Sequence, residues 1–292
     1  MNNKDKITIS NIRKISAIYF ALLQCGYEYY AVGRNNKHVN TISSFYSPNS
    51  AQEFFTNTKQ DTCDVYPYWP RAAMLESASF YINSDMSDFY DFEAFRNFIM
   101  SATNISDIER NPSFWEWVKS FPIAIKHTIQ SNEFKNYIEW ENQWIRQQNL
   151  LLKDELQHLQ KIIDFCFTNY KTNIKSIQIV LSPIKCAYSA DYHKVNNNFI
   201  FSSGEFKLES VIHEILHHIV HPIVQEHKDK IVVWDNHYDG IDSSYYHSDN
   251  DNGKTNAFEE FLVRSLTKEF LRNTQTTDLE KYICRLLNKE KK

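Results

Sequence analysis

The chain has 292 residues, a net charge of −4, 42% hydrophobic and 15% aromatic residues. That length and apolar content suffice for a substantial core and argue against disorder. The mild charge and the five glycines, none in a phosphate-cradling motif, give no reason to expect nucleic acid or nucleotide as a partner.

The opening Arg-Lys-Ile-Ser-Ala-Ile-Tyr-Phe-Ala-Leu-Leu-Gln-Cys loosely imitates a lipoprotein leader. Gln24, however, is not the small residue that cleavage before Cys25 needs, and the apolar run is too short to span a bilayer. Ile15, Ile18, Tyr19, Leu22 and Leu23 follow helical spacing instead, so a first helix over about 8–31 is expected. With no stable membrane span, the chain reads as cytoplasmic; a secreted or periplasmic protein whose leader had been removed would read the same way. Further helical spacing occurs around 71–83, 88–103, 112–131 and 133–170, with Asn-, Ser- and Pro-containing breaks between. Trp140, Trp144, Leu151, Leu152, Leu156 and Leu159 lie on the last of these and are assigned to the core. Cys25, Cys63, Cys166, Cys186 and Cys284 are odd in number and widely spread, which suits reduced thiols better than a disulfide framework.

The pattern changes after about residue 172. Ser-Ile-Gln-Ile-Val-Leu-Ser-Pro-Ile is β-rich, and segments around 185–193 and 197–203 follow as short candidate strands. The expected fold is therefore α+β: a helical region over 1–172, then a region over 173–292 with a small sheet and a histidine-rich helix.

That helix contains four of the eleven histidines. At about 100° per residue, His213, His217, Ser210, His221, Glu214 and His218 form one polar arc, and Val211, Ile212, Ile215, Leu216, Ile219, Val220 and Ile223 fill the rest. His213-Glu214-Ile215-Leu216-His217 reads HExxH. Residues i and i+4 stack on one helix face, so both imidazoles can reach one zinc ion. Glu214 is rotated by about a quarter turn, placed to take a proton from an attacking water rather than to ligate. His217 and His221 are also i, i+4, but His218 stands where that frame would need its carboxylate.

A catalytic zinc takes three protein ligands and keeps one open position. Val220 and Ile223 occupy the places of the Gly and the third His of the extended HExxHxxGxxH motif, which removes the metzincins. The polar stretch 225–253 reads as a loop, and the amphipathic helix after it carries Glu259 and Glu260. Glu260 is the preferred third ligand because Arg264, one turn on, can orient its carboxylate. Glu259 then reads as a solvated neighbour, and Asp242 in the loop is a further alternative.

The order of Ile-Val-Leu-Ser-Pro-Ile, then His-Glu-Ile-Leu-His-His-Ile-Val-His-Pro, then Glu-Phe-Leu-Val-Arg-Ser resembles a family of bacterial proteins of the gluzincin type of zinc metallopeptidase. In that family the HExxH helix runs into Asn-Pro and a later helix carries Glu-x-x-x-Arg. This chain has His221 in place of the Asn and lacks the family's usual secretion leader. The resemblance implies a zincin-like catalytic half over 173–292 in which His213, His217 and Glu260 bind zinc and Glu214 is the base. It also implies a loop tyrosine or histidine as oxyanion donor, with Tyr246 preferred over Tyr245, His237 and His247. In the zincin fold, an edge strand before the HExxH helix binds the substrate backbone. The expected activity is hydrolysis of peptide or protein substrates. The alternatives are a noncatalytic zincin-derived interaction module and a zinc hydrolase of a non-peptide amide.

Overall fold

The computed structural model describes residues 7–24, 38, 41–42, 44–45, 75–82, 89–102, 121, 123–185, 190–232, 238, 240–242, 252–272 and 276–289. Among these the chain is α+β and rich in helix, with one four-stranded sheet. The elements in chain order are β1 (Ile9–Ser10), α1 (Arg13–Gln24), a helical turn at 75–78 tightening to a 3-10 turn at Ser79–Tyr81, α2 (Phe89–Ala102), α3 (Asn132–Leu151) and α4 (Lys153–Asn169). There follow β2 (Ser176–Leu181), β3 (Ala190–Val195), β4 (Asn198–Ser203), α5 (Leu208–Glu226), α6 (Lys228–Val232), α7 (Asn252–Leu271) and α8 (Leu279–Lys289). None of the described helices is long and apolar enough to cross a membrane.

These elements form two compact units, one from Met1–Ile7, Lys153–Ser176 and Phe206–Lys292, the other from Thr8–Leu152 and Ile177–Glu205. Periodicity suggests one division near residue 172, whereas each unit is built from separate stretches. Strand pairing is the reason. The sheet order is β1-β2-β4-β3, and the two-residue β1 pairs in parallel with β2, Ile9 opposite Ile179. So short a strand has no readable period, and it lies where the sequence suggests only the start of a helix. Its backbone is also held by the Asn149 amide: Ile9 N–H donates to Oδ1 at 2.8 Å and Nδ2 donates to the Ile9 carbonyl at 2.7 Å.

The single helix expected over 133–170 is two helices, broken at Leu152. No glycine or proline marks that break. Leu151, assigned to the core by its spacing, is exposed instead. Ser131 caps α3, its side chain accepting from Phe134 N–H, and Asp154 and Glu155 sit in the first turn of α4, where the helix dipole favours negative charge. The hairpin β3–β4 turns on Asn196 and Asn197, both at positive φ (51° and 70°), which asparagine tolerates better than most residues. In the unit that holds the sheet, Phe20, Phe134 and Tyr137 pack edge-on or tilted, with the Phe20 ring 5.6 and 5.2 Å from the other two. Each such side chain contributes roughly 1.5–3 kcal/mol by burial. In the other unit, α5 packs against α4 and α7 through Val211, Ile215, Leu216, Ile219 and Val220, all buried. The α5–α7 packing brings the histidine face to the glutamate helix.

A candidate metal centre between two helices

Helix α5 runs four residues past Pro222, whose ring removes one backbone donor without ending the helix here. The HExxH segment lies in its middle, so the i, i+4 geometry is fully formed. His213 Nε2 and His217 Nε2 are 3.2 Å apart. Glu260 Oε2, from α7, lies 3.2 Å from His217 Nε2 and 3.6 Å from His213 Nε2. Bonds of about 2.0–2.1 Å at tetrahedral angles would separate ligand atoms by roughly 3.3–3.4 Å. The three donor atoms therefore already stand at the spacing of one face of a metal tetrahedron. His213, His217 and Glu260 can together hold a metal ion.

Two of the three residues are oriented from behind. Arg264 Nε donates to Glu260 Oε1 at 2.6 Å, and its Nη1 donates to the Gly240 carbonyl at 2.7 Å. Gly240 adopts a left-handed φ of 74°, which glycine reaches without a steric penalty. Arg264 thus holds one carboxylate oxygen and leaves the other to the histidines. The carboxylate itself is 4% exposed, so this is no ordinary surface i, i+4 pair. Burial would raise the Glu260 carboxyl, but hydrogen bonds from His213, His217 and Arg264 outweigh it and hold the group well below the usual carboxylate range.

Glu259 is the correction. It is not a solvated neighbour: it is 8% exposed and spans two imidazoles, Oε1 at 2.9 Å from His217 Nδ1 and Oε2 at 2.8 Å from His221 Nδ1. Burial pushes the Glu259 carboxyl upward, but its bonds to His217 and His221 bring it below its ordinary value, so it accepts and both Nδ1 atoms donate. His217 then has its Nε2 turned toward His213 and Glu260. Burial alone would lower the His217 imidazole; its bonds to Glu259 and Glu260, with the charges of Glu259 and Glu214, raise it to about 9. A signal for Glu259 was present in the sequence. His221, one turn beyond His217, extends the same stripe, and two stacked imidazoles facing a Glu-Glu pair need an acceptor for the second one.

Glu214 is half-buried and outside the ligand triad, near enough for its charge to act on His217. Asp242 is exposed and outside the triad as well. His221 turns to Glu259, with its side chain 58% exposed. Tyr246, Tyr245, His237 and His247 lie outside the described residues. No protein-family model, curated protein or solved structure matches this chain.

Proposed function

We propose that the chain is a zinc-dependent metallopeptidase of gluzincin type. The observation that carries this reading is the convergence of His213 Nε2, His217 Nε2 and Glu260 Oε2 at 3.2–3.6 Å, with HExxH supplying an adjacent carboxylate. Two imidazoles and one carboxylate are the donor set of a catalytic zinc with an open fourth position. When bound there, zinc polarises the scissile carbonyl and makes a water nucleophilic at neutral pH.

The chain's own residues do the rest. Glu214 takes the proton from the attacking water and delivers it to the leaving nitrogen. Glu259 keeps His217 in the tautomer with Nδ1 protonated, and Arg264 keeps Glu260 turned so that Oε2 serves the metal. Tyr246 donates to the oxyanion on the strength of the family resemblance. Peptide or protein is the proposed substrate, because the resemblance is to peptidases. HExxH itself specifies the activated water and not the acyl group, so a non-peptide amide would use the same residues.

Metal analysis of protein purified without a histidine tag should give about one zinc per chain, and His217→Ala should lose it. A proteome-derived peptide library, read by mass spectrometry with and without chelator, should show chelator-sensitive cleavage. Full zinc in His217→Ala would sink the site. Zinc without cleavage of any peptide would favour a noncatalytic module or the non-peptide substrate.

A further inference from the structure

A second histidine–carboxylate arrangement lies in the other compact unit and plays no part in the metal reading. Glu76 is fully buried. It accepts from Tyr19 Oη at 2.7 Å, from Lys185 Nζ at 2.8 Å and, through Oε1, bonds His193 Nε2 at 2.8 Å. Lys185 Nζ also reaches Asp191 Oδ2 at 2.5 Å and the Ser202 hydroxyl at 3.2 Å. Burial pushes Glu76 upward, but the Lys185 charge and the His193 bond outweigh it and hold the carboxyl well below its ordinary value. An ionised carboxylate can only accept, so Nε2 carries the proton toward Glu76, and in the tautomer protonated only there the Nδ1 lone pair points the other way. What it meets is Ser77 Oγ, 3.2 Å away.

Ser77 and His193 open on a cavity of about 460 Å³. Phe80, Tyr81, Phe98 and Tyr192 line it, and two of these aromatics are substantially exposed, Tyr81 at 47% and Tyr192 at 45%. A hydroxyl bonded to the free nitrogen of an imidazole whose other nitrogen is anchored on a carboxylate is the arrangement of an activated nucleophile. The aromatic rings on one part of this mixed lining give an acyl group an apolar surface to rest against.

We propose that this cavity is a second reactive site, in which Ser77 is the nucleophile and His193 the general base toward carboxylic esters with an aromatic or short aliphatic acyl group. The Ser77 hydroxyl proton passes to His193 Nδ1 as the bond from Oγ to the carbonyl carbon forms. The bond from that carbon to the ester oxygen then breaks, and the proton leaves with the alcohol. Water repeats the sequence in the second half-reaction, releasing the carboxylic acid and restoring Ser77. Lys194 and Asn196 also line the cavity. Glu76 is a positioning residue, acting through the imidazole. This site is independent of the zinc reading and stands or falls separately.

The test is labelling of the full chain with an alkyl fluorophosphonate, with and without a zinc chelator, alongside hydrolysis of p-nitrophenyl butyrate. One phosphonyl adduct should map to Ser77, and both reactions should survive the chelator. Ser77→Ala should abolish both, and His193→Gln should slow both by at least about 10²-fold with the melting temperature retained. If His193→Gln does not fold, the wild type and Ser77→Ala decide alone. Glu76→Gln replaces an acceptor oxygen facing the imidazole with a donor amide, so labelling of Ser77 should slow with the melting temperature retained, and Glu76→Asp should keep more of the rate than Glu76→Gln. Equal labelling rates in all three would overturn the role of Glu76. No adduct on Ser77 of the wild type, or ester hydrolysis that persists in Ser77→Ala, would overturn the proposal.

Discussion

Both compact units set histidine against paired carboxylates, yet they resolve the charge differently. Around Glu76 and Asp191 the cation is built in: the Lys185 ammonium, 1% exposed, lies within hydrogen-bonding reach of both carboxylates. Around His213, His217 and Glu260, the cationic Arg264 stands behind Glu260 and binds its far oxygen. The near oxygen and two imidazole nitrogens are left converging on one point. The same residue types therefore serve two purposes. A central lysine makes a self-neutralised network, whereas moving the cation behind the ligand leaves a face that a metal ion can complete.

The sharpest way to break this comparison is at Glu214, which lies outside the three metal-capable residues and which we propose as the base. Glu214→Gln should keep zinc and fold while peptide hydrolysis falls by about 10²–10⁴-fold. Near-wild-type turnover would remove Glu214 as the base whatever the metal content. Next in size is the built-in cation. Lys185→Met strands the buried Glu76 and the partly buried Asp191, and breaking a buried pair in this way costs about 3–5 kcal/mol. Urea unfolding should show that loss; a change below about 1 kcal/mol would mean that the network is not held by its lysine.

A smaller effect is expected at Glu259. Glu259→Ala should weaken zinc binding by about 10–100-fold, since second-layer carboxylates orient metal-binding histidines at about that worth. Competition with a chromogenic chelator measures it, and unchanged affinity would show that Glu259 does not orient the metal-facing imidazole. The smallest concerns pH. The folded Glu76 carboxyl is held below its ordinary value of 4.5, so its contribution is complete above about that pH and is lost as pH falls further. Each such group changes stability by at most about 1.4 kcal/mol per pH unit. The double variant Glu76→Gln, Lys185→Met should therefore lose stability less steeply than the wild type below pH 4.5. Equal slopes would show that other groups dominate acid unfolding. Glu141 acts in the opposite sense. Burial raises its carboxyl against hydrogen bonds from Asn11, Ser16 and Tyr137, so its contribution is present at low pH and fades as pH rises through its folded value.

What the sequence determined by itself was local. HExxH lies on an amphipathic helix because a period of 3.6 residues puts His213 and His217 on one stripe and Val211, Ile215, Leu216 and Ile219 on the other. Arg264, one turn from Glu260 on the same helix, distinguishes Glu260 from Glu259 in the sequence, and that bond is present at 2.6 Å. β2, β4 and most described helices are likewise readable from short-range patterns and turn residues, whereas β3 runs over Ala190–Val195 and not 185–193, and its pairing with β4 comes from the fold. Only the tertiary structure decided what depends on distant partners. Glu259 becomes a clamp because α5 and α7 pack, bringing together residues 38 and 42 positions apart. β1 becomes a strand because Ile179 stands opposite Ile9, and the helix around residue 152 breaks with no glycine or proline to announce it. Ser77 and His193, 116 positions apart, meet only through the fold. Periodicity records which face of an element is apolar; it does not record which other element will cover it, and buried polar chemistry is made at those junctions.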